Sequence, residues 1–120
     1  MEYLGGLPQG HAAAVVEVTV RQRGLHFRHG GFLRGWSYDL PLALVVGVEL
    51  TTARELAARG TLPAGVVALP EHQGGHLLAI EARQGEQTTS IVLRGRWAEV
   101  DQLRQTILKA RMRAAKQWQP

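Results

Sequence analysis

Cysteine is absent from this 120-residue chain, which excludes disulfide staples, zinc–thiolate sites and thiol catalysis. Serine occurs only twice, at Ser37 and Ser90, and neither sits in a nucleophile elbow or beside a plausible histidine–acid pair. No apolar run approaches the roughly 20 residues that a membrane-spanning helix needs. The start, Met1-Glu2-Tyr3-Leu4-Gly5-Gly6, lacks the basic and apolar regions of a signal peptide, so the expected location is cytoplasmic. With 45% apolar and 20% charged residues the composition is that of a soluble globular protein, and the length suits one domain, residues 1–120, with one core.

What the chain does have is an uneven charge distribution. Between Arg94 and Lys116 lie seven basic residues against Glu99 and Asp101, a local charge of +5, whereas everything before sums to −1. Twelve of the fourteen basic residues are arginine, a skew read here as coding bias. The same segment carries the only long helical pattern, following a series of short strand-like runs.

Residues 1–12 read as a lead-in broken by glycine and proline. From Ala13 to Arg21 apolar and polar residues alternate, with Val16, Val18 and Val20 on one face, the signature of a half-buried strand. Gln22-Arg23-Gly24 is a turn, and Leu25 to His29 completes a hairpin. Trp36 to Leu40 forms a third strand that Pro41 ends as a corner. Leu44 to Leu50 is a more buried strand, expected to place Val46, Val48 and Leu50 on one face. Thr52 to Glu55 has capping-box spacing and Gly60 suits a left-handed cap, giving a short helix over 53–59. Val66 to Leu69 fits a brief edge strand. Leu77 to Arg83 and Thr88 to Leu93 form a second hairpin, and the strand region closes by residue 94.

The C-terminal helix spans 96–117. At about 100° per residue, Val100, Leu103, Ile107, Ala110, Ala114 and Trp118 share one stripe, flanked by Trp97 and Leu108. Lys109, Arg113 and Lys116 lie opposite. Glu99 and Asp101 near its start and the cations near its end match the helix dipole. Trp97 is expected to be buried near Val100, its loss costing about 3–5 kcal/mol.

Seven short strands followed by a capping helix resemble a bacterial pleckstrin-homology-like (PH-like) domain. The likeness is carried by Tyr3-Leu4-Gly5-Gly6, by Arg23-Gly24-Leu25-His26-Phe27, by the run from Tyr38 to Val48, and by the helix from Trp97 through Leu103 to Ile107. It implies a mainly β fold, a partly open barrel of about seven antiparallel strands capped by one C-terminal α-helix. It further implies binding or scaffolding, with no catalytic residue and no cofactor. Phosphoinositide-binding members of the family carry a lysine early in the first hairpin and then a spaced Lys/Arg-x-Arg. Arg21 and Arg23 match that last pair, but no lysine precedes them and the turn is too short to cradle a headgroup.

Other chemistry is thin. His26 and His29 stand three apart on a strand and point to opposite faces, so they cannot share a metal. His72 and His76 flank a Gly-Gly turn with only Glu71 nearby, a poor donor set, and no metal is expected. The Gly-Gly pairs lack the phosphate-loop pattern and read as turns.

The expected activity is therefore non-enzymatic: a protein-binding or self-associating module. The rivals are a peripheral binder of anionic membrane using Arg21, Arg23, Lys109, Arg113 and Lys116, and more remotely a small-molecule-binding barrel. Three cations supply about 1 kcal/mol each at an anionic bilayer, too little to anchor the protein alone. Nucleic acid is not an expected partner, because no aromatic residues interleave with the cations. The helix from Trp97 to Trp118 would rise about 31 Å. A barrel of six-residue strands offers a lid of only about 20 Å. The segment from Arg111 onward should project, presenting Met112 and Trp118 to a second chain.

Overall fold

The computed structural model describes residues 1–7, 14–30, 35–60 and 76–117, apart from some side chains within those ranges. The elements in chain order are β1 (Glu2–Gly5), β2 (Ala14–Val20), β3 (Gly24–His29), β4 (Trp36–Pro41), a 3-10 turn (Leu42–Leu44), β5 (Val45–Thr51), α1 (Ala53–Ala58), β6 (His76–Gln84), β7 (Gln87–Gly95) and α2 (Trp97–Gln117). The strands form one antiparallel sheet in the order β4-β3-β2-β1-β7-β6-β5. Its edge strands, β4 and β5, are consecutive in the chain and joined only by Leu42–Leu44. Three residues cannot span a flat seven-stranded sheet, so the twisted sheet curls until its edges meet at that corner. The result is a partly open barrel, and α2 lies against β5, β6, β7, β2 and the 3-10 corner as its cap.

The first residues are not a lead-in. Glu2–Gly5 is a strand at the centre of the sheet, paired with both β2 and β7. Its side chains are wanted on both faces: Tyr3 enters the barrel core and Leu4 the opposite face, each about 1% exposed. A four-residue strand buried on both sides shows no alternation, which hid it in the sequence. Gly6 is not a simple turn residue either. At φ +110 it lies so close to β7 that a Cβ would stand 2.1 Å from the Ser90 carbonyl oxygen.

The predicted short strands otherwise fall where expected, with small differences at their ends. Val66–Leu69 lies outside the described residues. In β5 the expected face is wrong at one end. The pairing with β6 shifts between Val45 and Gly47, and this bulge turns Val45 into the core while Val46 remains 43% exposed. Beyond it, Val48 and Leu50 pack against the core as expected.

The barrel interior is closed by Leu25, Phe27, Leu40, Leu78, Ile80, Ile91 and Leu93 from the strands and by Val100, Leu103 and Ile107 from α2. A smaller cluster of Leu4, Leu77, Ala79 and Val92 occupies the other face of β1, β6 and β7, with Leu56 of α1 packed among them. The capping of α1 follows the sequence reading in part. The Glu55 N–H donates to the Thr52 hydroxyl at 3.2 Å, and Gly60 ends the turn at φ +70. The Glu55 carboxylate, however, accepts from the Thr51 hydroxyl at 2.9 Å rather than closing the box.

The apolar stripe of α2 is in phase with the expectation, but Trp97 is not part of it. Its side chain is 54% exposed. As the first helical residue it points back toward the helix N-terminus, off the end of the barrel. Gly95 lies beside Val100 instead: a Cβ there would stand 3.3 Å from both the Val100 Cγ1 and the Met1 Cγ. The departure of the helix from the barrel is also later than expected: Ala110 and Ala114 still pack against the core cluster.

Candidate functional site

The site begins with a turn held in place by its backbone. Between β2 and β3 the Arg21 N–H donates to the Gly24 carbonyl at 2.8 Å, and the Arg23 carbonyl accepts from the Leu42 N–H at 2.9 Å. Gly24 allows that approach, since a Cβ there would lie 2.6 Å from the Leu40 carbonyl oxygen. The turn Arg21-Gln22-Arg23 is thereby fastened beside the β4–β5 corner, facing the second half of α2.

Two adjoining clefts separate that half of the helix from the turn and the corner. The larger, about 890 Å³, is lined by Pro41, Leu42, Ala43 and Val45 from the corner, by Ala114 and Ala115 from the helix, and by Arg23, Arg111 and Gln22. The smaller, about 420 Å³, is lined by Val20, Arg21, Gln22, Thr106, Lys109, Ala110, Arg113 and Ala114. Gln22 and Ala114 belong to both linings and stand between the two, which lie on either flank of the α2 stripe as a discontinuous basic path. Their cause is legible in the stripe of α2. Leu103 and Ile107 fill the space over the barrel, whereas Ala110 and Ala114, packed against the core on the same face, are too short to fill the space beside it.

The electrostatics are one-sided. Arg21, Arg23, Lys109, Arg111 and Arg113 line the path, and the described linings contain no carboxylate. Elsewhere three cations are paired, Arg94 with Glu2, Arg104 with Asp101 and Arg59 with Glu49, whereas Arg28, Arg83 and Arg96 are exposed without an ion-pair partner among the described residues. Among the described residues, none of the five path cations has an ion-pair partner. Arg111 is half-buried and the other four are exposed. The described linings contain one hydroxyl besides these donors, Thr106, and it donates to the Gln102 carbonyl at 2.8 Å. The path offers positive charge, hydrogen-bond donors and an apolar floor.

The sequence-selected residues divide accordingly. Arg21, Arg23, Lys109 and Arg113 are brought together, although they come from segments more than eighty residues apart. The side chain of Lys116 and all of Trp118 lie outside the described residues. Met112 is 62% exposed and lines neither cleft. Sequence reasoning passed over Gln22 and Arg111 as site residues, and it took Ala110 and Ala114 as core only. The drop from leucine and isoleucine to alanine along one stripe was the available signal.

The histidines serve separate local contacts. His26 Nδ1 donates to Asp39 at 2.6 Å, and His29 Nδ1 donates to the Val15 carbonyl at 2.6 Å. Among the described residues no three histidine, aspartate or glutamate side chains gather as a metal site. His11, His72 and the His76 side chain lie outside them. Burial pushes the Tyr3 phenol above its ordinary value of 10.0, a rise partly offset by the Leu7 N–H that donates to it at 2.7 Å. Tyr3 is a core residue and does not line the path.

Comparison with protein-family models, with curated proteins and with solved structures finds no match to this chain. The functional reading therefore rests on the site itself.

Proposed function

We propose that this chain is a PH-like, non-enzymatic binding and assembly module whose contact end is the basic path between the β2–β3 turn and the second half of α2. The observation that carries this reading is the placing of Arg21, Lys109 and Arg113 on one cleft and of Arg23 and Arg111 on the adjoining one, with no carboxylate in the described linings. Like charges held together without partners repel, and an anionic ligand relieves that repulsion on binding. The strand order and the helical cap support the PH-like assignment, and the hydrogen-bond donors of the described linings suit the binding of an anionic group. The partner in this reading is a protein, because the cations line a recess: a planar bilayer would touch its rims and leave the floor empty.

The test uses two probes, a fluorescein-labelled hexaglutamate peptide and phosphatidylserine-containing vesicles, at low and physiological salt. The expected result is peptide binding that weakens with salt. In the variant Lys109→Glu/Arg113→Glu binding should fall at least about tenfold, equivalent to about 1.4 kcal/mol. Vesicle binding without peptide binding would replace the protein reading by the peripheral-membrane one. Binding of neither would overturn both.

A further inference from the structure

We infer that the larger cleft is a small-molecule site of its own, and that its ligand is an amphipathic acid: one carboxylate on an unbranched aliphatic body. This goes beyond the protein contact proposed above and does not depend on it, because the cations of the two clefts are different residues. The larger cleft has a floor and a rim. Leu42 and Val45, only 5% and 4% exposed, lie at its bottom with half-buried Ala114 beside them. Pro41, Ala43, Ala115, Gln22 and Arg23 are exposed and form the rim. The described lining of the smaller cleft holds no buried residue, and its three cations are all exposed.

Arg111 defines the head of the ligand. It is the half-buried cation of the larger cleft, and its guanidinium has no ion-pair or hydrogen-bond partner among the described residues. A cation drawn partly out of water costs free energy unless an anion meets it. One carboxylate supplies that charge, and a guanidinium holds it by two parallel N–H···O bonds. Arg23, on the turn across the cleft, adds to the same field. The floor defines the tail, since Leu42, Val45 and Ala114 offer nothing but apolar surface. Dimensions favour a small ligand over a polypeptide. The cleft of about 890 Å³ lies in the range that encloses an organic ligand, roughly 300–1,000 Å³. Of α2 only the turn from Arg111 to Ala115 lines it, about 6 Å of wall. An extended segment would set only about two residues against that wall at 3.3 Å each.

Calorimetric titration and amide chemical-shift mapping of the full chain test the inference, with butanoate, octanoate and octylammonium as probes below their micellar concentrations. Octanoate should bind at least about tenfold more tightly than butanoate, because each added CH₂ contributes up to about fourfold when buried. Octylammonium should not bind. The amide shifts should centre on Leu42, Val45, Ala114 and Ala115. Arg111→Met keeps an apolar stem without the charge and should weaken octanoate at least about tenfold. Arg28→Met removes a charge on β3 outside both linings and should leave octanoate within about twofold. Ala114→Leu fills the cleft without touching its charge. It should also weaken octanoate at least about tenfold, and it keeps the test open should Arg111→Met not fold. Equal affinity for butanoate and octanoate, binding of octylammonium, or shifts centred elsewhere would each overturn the inference. Failure of octanoate to bind would overturn it too, while hexaglutamate binding would leave the protein-contact reading standing.

Discussion

The two halves of α2 share one apolar stripe and do opposite things with it. From Val100 to Ile107 the stripe carries valine, leucine and isoleucine, which are at most 8% exposed and close the barrel. On the polar flank there Asp101 accepts from Arg104 at 2.7 Å and from Gln105 at 2.9 Å. Beyond Ile107 the same direction is taken by Ala110 and Ala114, which touch the core but fill less of the space beside it, and the neighbouring cations have no ion-pair partners among the described residues. The difference lies in side-chain volume and in where acids are withheld. One half of the helix serves stability, and the other keeps a recess open at some cost in packing.

Three substitutions probe that contrast. The largest effect belongs to Ile107→Ala, which empties a fully buried position. It should cost about 2–5 kcal/mol in urea unfolding with little change in m-value. A cost below about 1 kcal/mol would erase the distinction between the halves. Trp97→Ala comes next. With its indole half in solvent the loss should be about 1 kcal/mol or less by the same measurement. A loss of about 3 kcal/mol or more would place the indole in the core and shorten the exposed part of the helix. The smallest effect is that of Ala114→Leu, where the side chain extends into space already open. Stability should stay level or rise by up to about 1 kcal/mol, with peptide binding reduced. Destabilisation by more than about 2 kcal/mol would mean that the second half is packed as tightly as the first.

Much of the barrel was readable in the chain because its signals are local. Alternation at Val16, Val18 and Val20 marks β2, the Thr52-to-Glu55 spacing and Gly60 bracket α1, and the 3.6-residue stripe phases α2 correctly. The failures are those of context. β1 carries large residues toward both faces and shows no period. A bulge at Val45/Gly47 reverses part of β5, which alternation alone does not announce. Trp97 has the right chemistry for a core but the wrong position, one residue into a helix whose side chains point backward. For the site, each cation was visible individually. Their meeting depends on the Arg23–Leu42 hydrogen bond and on Gly24 lying against β4, and both are non-local.

The strand order also constrains how the chain assembles during synthesis. β2, β3 and β4 pair with near neighbours, and so do β5, β6 and β7, but β1 joins the two sets across the whole length. Its Glu2 bonds to Arg94, 92 positions downstream. A nascent chain can therefore form its first hairpins early, yet Tyr3 and Phe27 must wait with their apolar faces uncovered until β7 and α2 have left the ribosome. Closing so long a loop is the slow step expected of non-local β pairing. The greatest aggregation risk thus precedes the docking of β7 and α2, and β1, made before every other strand of the sheet, is among the last to find both its neighbours.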